Sequence, residues 1–174
     1  AHGRQDEEHL SLTLQQGVVL ALAMSLPLAA LWTFTGSFLS LWDTPPELAA
    51  AGGEYAFARL AGIPAALLFI VFRGWLQGRG LMRPAMWVVL AANLFNVLAN
   101  WALIFGHAGL PALGVQGAGY ATALTQWVML ACLLLFIRGF RLDRGAWSGL
   151  QPAALRGLWA VLKQGLPIGL HFGI

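Results

Sequence analysis

The sequence predicts an all-α, polytopic membrane protein, a bundle of transmembrane helices. Of its 174 residues, 59% are hydrophobic and only 10% are charged, and the mean hydropathy is +0.71. Soluble domains carry about 25% charged residues, so this composition excludes an ordinary soluble fold. The apolar residues form long runs, and a run of about 20 residues crosses the hydrocarbon core of a bilayer as a helix. The chain has room for four or five such spans.

Polar segments divide the chain into elements in the following order. The sequence predicts a polar loop at 1–10, spans at about 14–41, 49–76, 85–105 and 117–137, a basic connection at 138–156, and the start of a fifth helix at 157–174. We expect Pro27 to kink the first span, and Pro64 and Pro167 to interrupt the second and the fifth. Neighbouring helices can satisfy the backbone groups that such prolines free. Both ends of the sequence look like cuts within a longer protein.

The basic residues fall in or beside alternate connections, which predicts the orientation. Nine of the ten Lys and Arg residues share this placement, namely Arg4, Arg73, Arg79, Arg83, Arg138, Arg141, Arg144, Arg156 and Lys163. The connections 42–48 and 106–116 contain neither Lys nor Arg. By the positive-inside rule, the 1–10, 73–84 and 138–156 connections are cytoplasmic. This pattern also accounts for the net charge of +3 without a nucleic-acid partner.

Three asparagines form a polar stripe on the third span. Asn93, Asn96 and Asn100 are spaced by three and four residues, so they share one face of a helix. In one interpretation they only bond neighbouring helices, at about 0.6 kcal/mol each. In the other, their amide oxygens line a site for a cation or a proton, because neutral oxygens suit a hard cation when a carboxylate lies nearby. We assign Asn93 to packing and leave both interpretations open for the other two.

The fourth span carries a second polar patch beside a run of small residues. The polar residues are Thr122, Thr125 and Gln126, and the small ones are Gly117, Gly119, Ala121 and Ala123. Small residues four apart let helices approach closely, and we expect the glycines to pack against the asparagine helix. Thr122 and Gln126 share a face, and Thr122 fits packing and a binding site equally well.

Other polar groups within the apolar runs indicate structure rather than catalysis. Glu54 and Arg59 lie near the outer end of the second span, where they can pair or extend to the interface, and we expect His171 to bond a neighbouring helix. Cys132 is the only cysteine, and no metal-ligand spacing, nucleophile with its base or phosphate loop is present. The sequence therefore predicts neither an enzyme nor a bound cofactor.

The stretch RGWLQGRGLMRPAM, followed by NLFNVLANWALIFGHAGLPALGVQGAGYATALTQW and then by LKQGLPIGL, resembles the multidrug and toxic compound extrusion (MATE) family, in its NorM-like branch. The resemblance implies a twelve-helix antiporter of two six-helix bundles. Residues 1–137 would then belong to the N-terminal bundle, 138–156 to the connection between bundles, and 157–174 to the first helix of the C-terminal bundle.

The resemblance also implies a cation site and a function. Asn96, Asn100 and Thr122 match the family's cation-binding positions, which an aspartate on an earlier helix completes. The expected function is export of organic cations, driven by Na⁺ or H⁺, by a monomer in the bacterial inner membrane in contact with its lipids. Gln126 and Pro64 are expected to line the substrate pathway, and no metal beyond the coupling Na⁺ is expected.

Two rival functions remain at this point. A related flippase for lipids or lipid-linked saccharides would share the architecture, although it should have a larger and more basic cavity than these spans indicate. A membrane scaffold without transport activity would use the asparagines only to hold its helices together.

Overall fold

The computed structural model describes residues 2–42 and 44–142, and this part of the chain contains helices and turns but no strand. The elements are α1 (His2–Thr33), α2 (Thr35–Ser40), α3 (Pro46–Arg59), a 3₁₀ turn (Leu60–Gly62), α4 (Ile63–Gly78), α5 (Arg83–Phe105) and α6 (Gly114–Gly139). The all-α prediction is confirmed. The predicted start of a fifth helix, with Pro167 and His171, lies outside the described residues.

Four segments of the described chain are long and apolar enough to cross a membrane. They are Leu10–Thr33, Pro46–Gly78, Arg83–Phe105 and Gly114–Gly139, with mean hydropathies between 1.7 and 1.9. At about 1.5 Å per residue even the shortest exceeds the roughly 30 Å of a hydrocarbon core. Many of their large apolar side chains are exposed, as expected where lipid or further helices replace water. Their assignment to one bundle of a twelve-helix protein stays a prediction.

The first span differs from its prediction at both ends. The expected polar loop at 1–10 is wrong, because α1 already begins at His2. Glu, Gln and Arg have high helix propensity, so the helix extends through a polar sequence beyond the apolar run. The helix also continues through Pro27 and is interrupted only at Phe34, where a turn separates it from α2. The span predicted to reach residue 41 is thus two helices.

The second span is broken where the sequence places Pro64. A 3₁₀ turn at Leu60–Gly62 separates α3 from α4, and Pro64 lies in the first turn of α4. Proline removes a backbone donor and its ring collides with the carbonyl four residues earlier, which accounts for the tighter turn before it. The backbone carbonyl of Ala61 in this turn accepts a 2.9 Å hydrogen bond from the indole Nε1 of Trp127 on α6. The interruption predicted at Pro64 is therefore present, and α6 is bonded to it.

Helix α6 lies at the centre of the described bundle and packs against α3, α4 and α5. Gly117 lies against the backbone of Leu103 on α5, where a Cβ atom would approach the Leu103 carbonyl carbon to 2.6 Å. This agrees with the predicted contact to the asparagine helix. Gly119 lies instead against Ala58 of α3, to which a Cβ would come within 2.6 Å. The prediction for Gly119 is wrong because residues two apart on a helix face different neighbours.

The buried core of the described chain lies toward the end that the arginine pattern marks as cytoplasmic. Its fully buried or nearly buried members are Leu14, Phe69, Trp75, Leu76, Ala85, Leu133 and Ile137. They come from α1, α4, α5 and α6, so this cluster holds the four long helices together at one end. The opposite end of the bundle has no comparable cluster among the described residues.

Helices α4 and α6 end in the same way at this arginine-rich end of the bundle. After α4, Gly80 has φ +75°, and the N–H of Leu81 bonds the carbonyl of Leu76 at 2.9 Å. After α6, Arg141 has φ +53°, and the N–H of Leu142 bonds the carbonyl of Ile137 at 2.9 Å. Both are Schellman motifs, in which a left-handed residue lets the chain satisfy the last helical carbonyls.

Candidate functional site

Two asparagines of α5 and one threonine of α6 form a continuous chain of hydrogen bonds. Asn100 donates from Nδ2 to Asn96 Oδ1 at 2.9 Å, and Asn96 donates from Nδ2 to Thr125 Oγ1 at 3.0 Å. Thr125 in turn donates its hydroxyl proton to the backbone carbonyl of Ala121 at 2.7 Å. The structure therefore brings Asn96 and Asn100 together, as the sequence predicts, and joins them to the neighbouring span.

The direction of this chain leaves an acceptor at its end. Each residue in the series donates a hydrogen bond to the next one, so the side-chain amide oxygen of Asn100 is the group at the end of the chain. Asn100 Oδ1 accepts no hydrogen bond from residues 10–42 or 44–142. Asn100 is half-buried, and an amide oxygen in an apolar medium needs a partner. The site thus presents a neutral, hard oxygen that is oriented by Asn96 and Thr125.

Thr122 lies on α6 three residues before Thr125, which is the residue that meets the asparagines. The Thr122 hydroxyl donates to the carbonyl of Ala118 at 2.9 Å, within its own helix, and no hydrogen bond joins it to Asn96 or Asn100. The contact to Asn96 is made by Thr125, which is buried. Thr125 follows Gly117 and Ala121 at intervals of four residues, so the stripe of small residues that faces α5 could have identified it.

Asn93 differs from the other two asparagines in that it is exposed. It precedes Asn96 by three residues but has no hydrogen bond to another described side chain. Within the polar stripe of α5, only Asn96 and Asn100 therefore take part in the hydrogen-bond chain. This distinction makes Asn93 a natural control for experiments on the pair.

Gln126 and Pro64, the residues predicted to line a substrate pathway, are both half-buried. Pro64 opens α4 beside the 3₁₀ turn, and Gln126 precedes Trp127, whose indole bonds that turn. Both lie on the pair of elements α4 and α6, which pack together. Their place in a substrate pathway stays a prediction.

A second polar region opens at the other end of the bundle, between α1, α2, α3 and α6. It is a cleft of about 420 Å³ lined by Thr33, Gly36, Ser37, Gly53, Glu54, Phe57, Ala58, Gln116 and Tyr120. Glu54 is exposed there, whereas Arg59 lies 4.9 Å from the ring centre of Trp32. The two residues do not form an ion pair, and the cation–π contact gives Arg59 a structural role, as the sequence predicts for it.

The chemistry available in this part of the chain is that of neutral oxygens. No group of three or more His, Cys, Asp or Glu side chains that could hold a metal ion occurs among the described residues. Asn96, Asn100 and the threonines offer amide and hydroxyl oxygens, which suit hard cations and bind transition metals poorly. A cation site here would need additional ligands, of which a carboxylate is the most effective.

Comparison with known proteins agrees with this architecture. The family model described as MatE matches residues 1–102. The probable multidrug resistance protein NorM of Aromatoleum aromaticum is 35% identical over 97% of this chain, which corresponds to 37% of that protein. Multidrug resistance protein PmpM of Pseudomonas aeruginosa is 34% identical over 97% of the chain and 36% of its own length. The chain thus spans little more than a third of these relatives.

A solved structure has the same fold. The crystal structure of the eukaryotic MATE transporter AtDTX14 superposes with a TM-score of 0.83 over 96% of this chain and 36% of that one, at 21% sequence identity. The arrangement of the four spans therefore belongs to a known fold. This chain belongs to the MatE family of multi-pass membrane transporters, with NorM proteins among its relatives.

Proposed function

We propose that this chain acts as part of a cation-coupled antiporter that exports organic-cation drugs and other toxic compounds across the inner membrane of a bacterium. Entry of Na⁺ or H⁺ would drive the export. Its bacterial relatives are named as multidrug resistance proteins, which supports the drug-export part of this proposal. The four apolar spans support its location in a membrane.

The observation that carries the coupling part is the hydrogen-bond chain that ends on Asn100 Oδ1. If the asparagines served only to join α5 to α6, the bond from Asn96 to Thr125 would be sufficient. Asn100 adds no bond between the helices, because it donates to Asn96 on its own helix. Its orientation leaves an amide oxygen for a partner that this part of the chain does not supply, and a desolvated cation is such a partner.

Thr122 fits the same proposal through its lone pairs. Its hydroxyl proton is directed to the carbonyl of Ala118, so the oxygen lone pairs are left to face a cation. We infer a site that combines Asn96, Asn100 and Thr122 with a carboxylate from elsewhere in the protein. The proton form of coupling would use that carboxylate, since amides and hydroxyls do not titrate near neutral pH.

Coupling in this scheme is a difference in affinity. The cation would stabilise one arrangement of the interrupted spans and the drug another, so that binding of one favours release of the other. Gln126 and Pro64 would line the drug pathway of a monomeric transporter. No cofactor beyond the coupling ion is required.

The test is efflux of a fluorescent organic cation, such as ethidium, by the full-length protein in liposomes, with a sodium or a proton gradient imposed separately. We expect one gradient to drive efflux, and Asn100→Ala to reduce it at least about fivefold, the lower end of typical coupling between sites. The matched control is Asn93→Ala, which removes an exposed amide about two turns away on the same helix and should leave efflux unchanged.

The outcomes separate the rival functions. Equal gradient-driven efflux by Asn100→Ala and the original protein would remove the asparagine from the coupling site. No efflux under either gradient from folded protein, together with lipid translocation in the same liposomes, would favour a flippase. Neither activity, with stability lost in Asn96→Leu, would favour a scaffold in which the amides only join helices.

A further inference from the structure

A second cleft lies at the opposite, arginine-rich end of the bundle, and the antiport proposal does not use it. It measures about 410 Å³ and lies where α4 ends and α5 begins. Its polar side is formed by Arg73, Gln77 and Arg83, and its apolar side by Met86, Val89 and Leu90 of α5. The Schellman turn at Gly80 reverses the chain between these two helices, which places the two arginines on one cleft.

Both arginines of the cleft are exposed, and neither has a hydrogen-bond or ion-pair partner among the described side chains. Arg79, which lies between them in sequence, behaves differently. Its guanidinium donates to the Leu142 carbonyl and lies 4.8 Å from the ring centre of Trp75. Two of the three arginines of this connection therefore line the cleft and are accessible to a ligand.

The sequence offers these two arginines no nearby counter-charge. Between Glu54 and Asp143 the chain contains no Asp or Glu, so all of α4, α5 and α6 lacks a carboxylate. Guanidinium groups bind phosphate with paired, parallel hydrogen bonds. The cleft is therefore complementary to an external anion of that geometry.

The apolar wall indicates which phosphate the cleft would take. Met86 and Leu90 are 51% and 53% exposed, one helical turn apart, and they continue from the arginines along α5 toward the membrane interior. Trp87, which is 64% exposed, lies on the same turn, and indole rings are typical of the membrane interface. A free phosphate would leave this wall unused, whereas the acyl chain of a lipid would cover it.

We propose that the cleft binds the phosphate headgroup of an anionic phospholipid from the cytoplasmic leaflet. Arg73 and Arg83 contact the phosphate, Gln77 donates a further hydrogen bond, and the acyl chain follows Met86 and Leu90 along α5. The bound lipid would link the end of α4 to the start of α5. This site is independent of the cation site and of the direction of transport.

The experiment is competition for a fluorescent phosphatidylglycerol bound to the full-length protein in a neutral, non-ionic detergent. Unlabelled phosphatidylglycerol should displace the probe, and phosphatidylcholine should displace it at least about tenfold less effectively. Inorganic phosphate should compete only weakly, because it cannot use the apolar wall. Competition by phosphate as strong as that by phosphatidylglycerol, or equal competition by both lipids, would overturn the proposal.

Substitutions assign the site to the two arginines. Arg73→Gln and Arg83→Gln should each weaken phosphatidylglycerol binding by about fivefold, the usual contribution of one basic residue at an anionic surface. Arg138→Gln is the matched control, because Arg138 is an exposed arginine at the same end of the bundle but outside the cleft. Equal loss in all three variants would indicate attraction to the surface as a whole and would contradict a specific site.

Two further variants keep the test informative if the glutamine variants do not fold. Arg73→Lys keeps the charge and the predicted orientation in the membrane but loses the paired geometry, so it should bind phosphatidylglycerol more weakly than the original protein and more tightly than Arg73→Gln. Leu90→Ser shortens the apolar wall without changing the charge. It should reduce the advantage of phosphatidylglycerol over inorganic phosphate, and an unchanged advantage would contradict the acyl-chain part of the proposal.

Discussion

Arg79, the residue after the last of helix α4, donates a 2.7 Å hydrogen bond to the backbone carbonyl of Leu142, three residues beyond the end of α6. The bond joins the two Schellman motifs that close these helices. The same guanidinium lies over the ring of Trp75 in the core cluster. One side chain therefore fixes the ends of two spans relative to each other, at the end of the bundle that the charge pattern marks as cytoplasmic.

We expect Arg79→Met to destabilise the full-length protein by about 2 kcal/mol. Methionine keeps much of the apolar stem but loses a hydrogen bond from a charged donor and the cation–π contact, each of which is worth about 1 kcal/mol when half-exposed. Thermal unfolding in detergent, followed by circular dichroism, measures the change. Arg73→Gln is the control, because its exposed side chain has no bonded partner in the described chain, and a loss of the same size there would refute the special role of Arg79.

Replacement of Arg141 by glycine should stabilise the end of α6. Arg141 adopts φ +53°, which costs a non-glycine residue about 1 kcal/mol, and glycine removes that cost. Arg141→Ala is the matched variant, since it deletes the same side chain but keeps the strained backbone. The Arg141→Gly protein should unfold at a higher temperature than the Arg141→Ala protein. The reverse order would show that the left-handed conformation is not retained in the folded protein.

Gly117→Ala should destabilise the pair α5 and α6. The added methyl group would collide with the backbone of Leu103, which cannot move as a flexible side chain would, and overpacking of this kind costs about 1–3 kcal/mol. Gly74→Ala is the control within α4, because a Cβ there meets nothing within 4 Å. That change should be neutral or stabilise by up to about 1 kcal/mol through helix propensity. Stability in urea or by heating distinguishes the two variants.

Two threonines of α6 should respond differently to the same substitution. Thr125→Val deletes the acceptor of Asn96 and leaves a half-buried amide donor without its partner, so we expect a loss of about 1 kcal/mol. Thr122→Val removes a hydroxyl that bonds only its own helix and should be nearly neutral for stability. The proposed cation site requires that Thr122→Val lower ion-driven efflux, although this variant folds normally.

The sequence predicts most of this fold because its strongest signals do not depend on which helices are neighbours. The length and apolarity of the runs predict four spans, and the spacing of Asn96 and Asn100 predicts their contact. The position of Pro64 likewise predicts the break in the second span. These features depend on the solvent and on helix geometry, which act in the same way wherever the neighbouring helices lie.

The predictions that are wrong concern the extent of a polar helix end and the neighbour that a residue meets. The extent of α1 could not be predicted from polarity, because polar residues outside a membrane form helices as readily as loops. Likewise the contact of Gly119 with Ala58, rather than with α5, requires the arrangement of three helices around α6. The choice of Thr125 as the partner of Asn96 depends on the same arrangement, although the stripe of small residues contains the information.

The hydrogen bond from Trp127 to the Ala61 carbonyl attaches the break in the second span to α6. Gly62, the next residue, lies so close to α6 that a Cβ would come within 2.7 Å of the Cα of Ala123. The turn and α6 are therefore in close contact here, so a change in the tilt of α3 relative to α4 would move against α6. Thr125, which bonds Asn96, lies between Ala123 and Trp127 on that helix. Rotation of α3, the first half of the second span, would thus displace the same turn of α6 that bonds the asparagine pair.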